Sequence, residues 1–79
     1  MNKSISDRVI SVIIDQLGVR PERVTTHAAF FEDLACDSLD LVELVIAYEN
    51  EFGLEIPDED AELFLRVSDV ISYVVRQST

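Results

Sequence analysis

Three stretches of this chain repeat apolar residues at the three-to-four-residue interval of a helix, and none holds the two-residue alternation of a half-buried strand. In the first stretch Ile5, Val9, Val12, Ile13 and Leu17 share one side, while Arg8, Ser11, Asp15 and Gln16 fall mostly opposite. Ser4, with Asp7 three residues later, resembles a capping box that uses Asp instead of Glu, and Gly18 is suited to close the last turn. The spacing predicts a helix that begins after Ser4 and runs to Leu17.

From Gly18 to Cys36 the period is lost and turn formers appear, with Pro21, Thr25, Thr26 and an apolar patch at Ala29, Phe30, Phe31 and Leu34. A connection of this length inside a compact domain either carries function or hides a short helix, and the aromatic patch predicts an ordered, packed loop. Asp37 or Ser38 can cap a second helix through Phe52, ended by Gly53. Its Leu39, Val42, Leu44, Val45, Ile46, Tyr48 and Phe52 are more apolar surface than one stripe needs. Pro57 followed by Asp58, Glu59 and Asp60 suits the first turn of a short third helix reaching about Phe64, with carboxylates at the positive end of the dipole. Ser68 can cap a last helix in which Val67, Val70, Ile71, Val74 and Val75 are apolar and Arg76 sits near the C-terminal end. The predicted architecture is all-α: a small bundle of three main helices and one short one, with a long ordered loop between the first and second.

Length adds that the bundle is one domain, residues 1–79, since 79 residues supply one core and not two. Charge changes the picture more. The chain carries a formal net charge of -10, and Cys36 to Leu65 holds ten acidic residues (Asp37, Asp40, Glu43, Glu49, Glu51, Glu55, Asp58, Glu59, Asp60, Glu62) without one Lys, Arg or His. A field of that sign repels nucleic acid and anionic lipid and attracts basic protein patches or loosely held cations. The plainer reading of the same charge is a solvated face. No stretch approaches the roughly 20 apolar residues of a membrane span, the N-terminus lacks the apolar segment of a signal peptide, and Cys36 is the only cysteine. The expectation is a cytoplasmic monomer without an internal disulfide.

Catalytic chemistry finds little support. The one histidine, His27, lies in the long loop with no evident route to Ser38 or Cys36, so a nucleophile and base pair is not expected. Asp58-Glu59-Asp60 has Leu63 where a calcium loop requires glycine, so no dedicated metal site is expected. The informative element is Asp37-Ser38-Leu39-Asp40 at the start of the most apolar helix, preceded by Phe31-Glu32-Asp33-Leu34. A serine there is exposed, and an anion joined to it would face unpaired N–H groups and the positive dipole end. On physics alone, capping is the simpler role for Ser38.

Together with Gln16-Leu17-Gly18-Val19, Val42-Glu43-Leu44-Val45, Glu51-Phe52-Gly53 and Glu55-Ile56-Pro57-Asp58-Glu59-Asp60-Ala61-Glu62, these segments resemble the acyl carrier proteins, in the family's order and spacing over nearly the whole chain. The resemblance implies a non-catalytic carrier whose Ser38, flanked by Asp37 and Leu39, bears 4'-phosphopantetheine added from coenzyme A by a phosphopantetheinyl transferase. It implies that Leu39, Asp40, Glu43, Ile46 and Glu49, with Asp58 and Glu59, dock on basic patches of acyl synthases, reductases, dehydratases or acyltransferases. Remaining apolar residues, including Val42, Leu44, Val45, Phe30, Ile56, Ala61 and Ile71, are then bundle core, which in this family can open to shelter an acyl chain. A start at Met1 and a full bundle point to a discrete protein, and the Ile56-Pro57-Asp58-Glu59-Asp60 stretch resembles the fatty-acid type. An aminoacyl or peptidyl carrier of the same fold and an unmodified acidic scaffold are the alternatives.

The departures from the family pattern are specific. Ala35 stands where glycine is common, so a positive φ there would be strained. Leu41 and Tyr48 replace the usual Thr and Leu, Asn50 interrupts an acidic run, and Leu63-Phe64-Leu65 adds apolar bulk, either extra packing, the reading slightly favoured, or an additional contact patch. Cys36 reads as a small loop filler. These departures suggest a specialised carrier, for an unusual acyl chain, a polyketide or a lipid-modification pathway.

Overall fold

The computed structural model describes residues 4–78; Met1, Asn2, Lys3 and Thr79, at the ends of the expected domain, lie outside the described residues. Four α-helices follow in order: α1 (Ile5–Leu17), α2 (Ser38–Phe52), α3 (Asp58–Ala61) and α4 (Val67–Gln77), with a 3₁₀ turn at Pro21–Arg23 in the long loop. The all-helical expectation holds, with three long helices and one short, and among the described residues there is no strand, only an isolated bridge between Ala29 and Arg66.

The limits of α1 follow from its two end residues. The Ser4 side chain accepts a hydrogen bond from the Asp7 N–H at 3.1 Å, and Gly18 adopts the left-handed conformation (φ 66°) with its N–H donating to the Ile14 carbonyl. Gly53 ends α2 in the same way, at φ 63°. Two later expectations are corrected. The third helix stops at Ala61 instead of Phe64, because the bonds that follow (Leu63 to Asp60, Phe64 to Ala61) tighten to the three-residue spacing. That tightening turns Phe64 into the core, 6% exposed, and leaves Leu63 and Leu65 outside at 67% and 60%, so the apolar triplet is packing only at its centre. Nor does Ser68 cap α4. The helix starts at Val67, which is fully buried, and the Asp69 carboxylate accepts from the Arg66 and Leu65 N–H groups at 2.9 and 3.1 Å.

α1 packs against both α2 and α4. Val9 and Ile13 of α1, Leu44 and Tyr48 of α2, and Val67, Val70 and Val74 of α4 are all at most 1% exposed. Each such side chain contributes about 1.5–3 kcal/mol of transfer free energy, before ordering entropy is subtracted. Arg8 ties α1 to the far end of α2: it contacts the Glu51 carboxylate and carbonyl at 2.9 Å each and lies 4.6 Å from the centre of the Phe52 ring. Its exposure limits the ion pair itself to about 0–1 kcal/mol.

The long loop is ordered because a distant segment holds it. Backbone N–H groups of Phe30, Val67 and Ser68 donate to the carbonyls of Leu65, Ala28 and Thr26, and the Arg66 guanidinium donates to the His27 carbonyl. Val24, Ala28, Phe30 and Leu34 enter the core from the loop, while Phe31, expected in the same patch, is 53% exposed. Within the loop Asp33 accepts from the Ala29 N–H at 2.8 Å, and its own carbonyl accepts from Arg23.

The loop turns into α2 through Ala35, whose φ is 55°, the strained geometry that glycine would relieve. An alanine in this region costs about 1–2 kcal/mol, and glycine returns about 0.5–1 kcal/mol of that as extra unfolded-state entropy. Ala35→Gly is therefore expected to raise the unfolding free energy by about 0.5–1 kcal/mol in urea titration; a decrease would show that the strain is absorbed elsewhere.

Candidate functional site

The start of α2 is built by two aspartates. Asp37 sits outside the helix in extended conformation and accepts from the Asp40 N–H at 2.8 Å, while the Asp40 carboxylate accepts from the Asp37 N–H at 3.1 Å. This reciprocal cap is worth about 0.5–2 kcal/mol. It also decides which residue caps: Asp37 does, and Ser38 is the exposed first residue of the helix, its hydroxyl in no hydrogen bond given by the structure among the described residues.

Along α2 the apolar surplus divides between two faces. Leu44 and Tyr48 point into the core with Leu41, Val45 and Phe52 partly buried beside them, whereas Leu39, Val42 and Ile46 are 64%, 56% and 51% exposed. Val42, expected in the core, belongs instead to the exposed stripe, because positions 39, 42 and 46 fall on one side of the helix. Leu44, Phe30 and Ile56 are buried as expected, and Val45, Ala61 and Ile71 pack against them. Glu43, Asp58 and Glu59 are exposed and Asp40 is half-buried. Glu49 is turned inward: its carboxylate accepts from the Ile56 N–H at 2.8 Å, which fastens the α2–α3 connection.

A groove of about 550 Å³ runs from Ser38 between α2 and α3, lined among others by Leu41, Val42, Val45, Ile46, Ile56 and Ala61. Its walls are mainly apolar, with Glu49, Asp58 and Glu62 among the lining residues. Beneath it lies a void of about 20 Å³ bounded by Phe30, Leu41, Leu44, Val45, Tyr48, Ala61 and Phe64. Leu41, Val45 and Ala61 line both spaces. Tyr48 lines this void, and its hydroxyl is buried without a hydrogen-bond partner, a desolvation cost of about 1–3 kcal/mol. Burial first, and then the nearby Cys36 charge, pushes its ionisation far above the ordinary phenol range.

Cys36 is 6% exposed, and burial, followed by the charges of Asp40 and Asp37, raises its thiol pKa. His27 lines a separate concavity with Glu22, Arg23, Thr25, Ala28 and Asp33, which shares no residue with the groove at Ser38. Among the described residues no three His, Cys, Asp or Glu side chains converge as a metal site.

The phosphopantetheine attachment site family matches residues 7–74. The acyl carrier protein of Akkermansia muciniphila is 52% identical over 73 residues, 92% of this chain and 91% of that protein. Those of Bdellovibrio bacteriovorus and Nitratidesulfovibrio vulgaris are 53% and 54% identical, over 94% and 90% of this chain and 95% and 93% of theirs.

The chain belongs to the acyl carrier protein family.

An acyl carrier is not itself a catalyst; its phosphopantetheine supplies a thiol that holds an acyl group as a thioester for other enzymes to act on. The residues present fit such a group. An exposed serine hydroxyl released from capping can take a phosphodiester, the first-turn N–H groups and helix dipole favour the anion, and the apolar groove beside it can take a chain. Interaction with biosynthetic enzymes follows from the carrier role, and among the described residues no helix is long and apolar enough to cross a membrane.

The buried thiol generates a check on the loop before Ser38. Cys36 should react with iodoacetamide at about pH 8 at least tenfold more slowly in the folded chain than in urea. Because the folded thiol keeps its proton to higher pH than the unfolded one, stability should fall as pH rises past the ordinary thiol range. Rapid alkylation of the native protein would mean that the loop opens readily.

Proposed function

We propose that Ser38 is the residue that carries 4'-phosphopantetheine, and that the chain shuttles acyl thioesters between enzymes of fatty acid synthesis or a related lipid or polyketide route. It acts as a single domain and as a monomer in the cytoplasm. The observation that carries this reading is the Asp37–Asp40 cap: with the helix closed by two carboxylates, the serine between them is spared for modification. Asp37 and Leu39 hold it at the surface from either side.

Docking falls to the adjoining face. Leu39, Val42 and Ile46 form an exposed apolar stripe, bordered by Asp40 and Glu43 on α2 and by Asp58 and Glu59 on α3. A partner with a basic rim and an apolar centre suits that pattern, and charge steering gives fast, salt-sensitive encounter with modest affinity. Those are the terms on which a carrier can visit several enzymes in turn.

The attachment is tested by intact mass after incubation with coenzyme A, magnesium and a broad-specificity phosphopantetheinyl transferase. Wild type should gain one phosphopantetheinyl mass and Ser38→Ala none, with its helical circular dichroism unchanged. No gain in wild type from an active transferase would leave an unmodified acidic scaffold as the function. For the docking face, Glu43→Lys should lower the association rate with a basic partner enzyme about 3- to 10-fold at low salt, a loss that shrinks as salt is added. An unchanged rate in stopped-flow would move the contact off α2.

A further inference from the structure

Tyr48 stands out among the buried groups. It is 1% exposed, its ring meets Phe64 edge-on at 6.3 Å, and its hydroxyl is the one buried side-chain polar atom among the described residues left without a hydrogen bond. The other buried tyrosine behaves differently, since the Tyr73 hydroxyl donates to Asp60 at 2.8 Å. Native cores pair almost all such atoms, so an orphan calls for an explanation.

Ordered water does not supply one. The void at Tyr48, about 20 Å³, could admit a single molecule, but its other six lining residues are all apolar and a buried water needs two to four polar partners. The surroundings describe a different occupant. Side chains on a helix lean toward its N-terminal end, so Tyr48 leans toward the end of α2 that bears Ser38. Influence of the Cys36 charge on the phenol agrees, because Cys36 lies just before that helix start. Leu41, Val45 and Ala61 line both the void and the groove at Ser38, and their apolar side chains can shift without giving up a side-chain hydrogen bond.

We propose that Tyr48 reads the cargo: an acyl chain drawn between α2 and α3 that bears a hydroxyl or keto oxygen hydrogen-bonds the Tyr48 hydroxyl, so this carrier shelters oxygenated chains in preference to saturated ones of equal length. The inference rests on the carrier reading of Ser38. A saturated chain would cover the hydroxyl with methylenes and leave it unsatisfied; a keto oxygen accepts its proton, and a hydroxyl can accept or donate. No bond is made or broken in the protein.

The test uses the full chain loaded at Ser38 with hydrolysis-resistant pantetheine amides of one saturated, one hydroxylated and one keto acyl group of the same length, each verified by intact mass. The oxygenated forms should melt about 4 to 8 °C above the saturated form, the shift expected of one added hydrogen bond in a domain this small. In Tyr48→Phe the difference should vanish, while the unloaded variant should be at least as stable as wild type. In wild type the ring carbon bearing the Tyr48 hydroxyl should shift in carbon-13 spectra with oxygenated cargo only, a readout that stands if the variant folds poorly. Equal melting and an unmoved Tyr48 signal across the three cargoes would overturn the proposal and leave the carrier reading intact. A melting difference that persists in Tyr48→Phe would overturn it also. Failure of all three to load would instead remove the carrier reading, and this inference with it.

Discussion

Two carboxylates exchange hydrogen bonds with each other's backbone at the point where the long loop becomes α2. Everything functional in this chain is arranged around that exchange. By closing the helix with Asp37 and Asp40, the fold sets Ser38 on a defined first turn, exposes its hydroxyl, and aims the positive end of the helix at whatever is joined there. The same helix turns Leu44 and Tyr48 into the core and Leu39, Val42 and Ile46 outward. One element therefore joins three features: the exposed serine, the apolar groove and the acidic surface.

The acidic segment is less uniform than its composition. Some of its carboxylates are structural: Glu49 holds the Ile56 N–H, Asp60 holds the Tyr73 hydroxyl, Glu51 pairs with Arg8, and Asp37 and Asp40 hold each other. Glu43, Asp58 and Glu59 are left at the surface near the groove. Substituting carboxylates indiscriminately along the segment would mix loss of fold with loss of surface charge, because the two kinds are interspersed along the chain.

How much of this was legible beforehand depends on the range of the forces involved. Ser4, Gly18 and Gly53 act through bonds a few residues away, so the limits of α1 and the end of α2 could be read from spacing. The strain at Ala35 was legible for the same reason, since a backbone angle concerns one residue. The resemblance to the acyl carrier proteins drew attention to Ser38, while residue chemistry alone left it as a possible cap. What escaped the sequence required partners far along the chain. Val42 could not be told from its apolar neighbours until the packing of α2 chose a face. Asp69 displaced Ser68 as the group that receives the N–H donors at the start of α4 because burial of Val67 fixed where that helix begins. Tyr48 could be flagged as an unusual residue, but only the three-dimensional arrangement reveals that its hydroxyl is buried without a hydrogen-bond partner.

The seam between the loop and the start of α4 has a consequence for how the protein comes into being. Arg66 grips the His27 carbonyl across 39 residues of sequence, and the neighbouring backbone pairs span a similar distance. Synthesis proceeds from the N-terminus, so α1 and the loop are made before the segment that holds the loop in place. The loop that leads to Ser38 is therefore held by closure of a long chain segment, while the cap on α2 forms by local winding. The C-terminal part of the chain therefore has a say in when that loop takes its final shape.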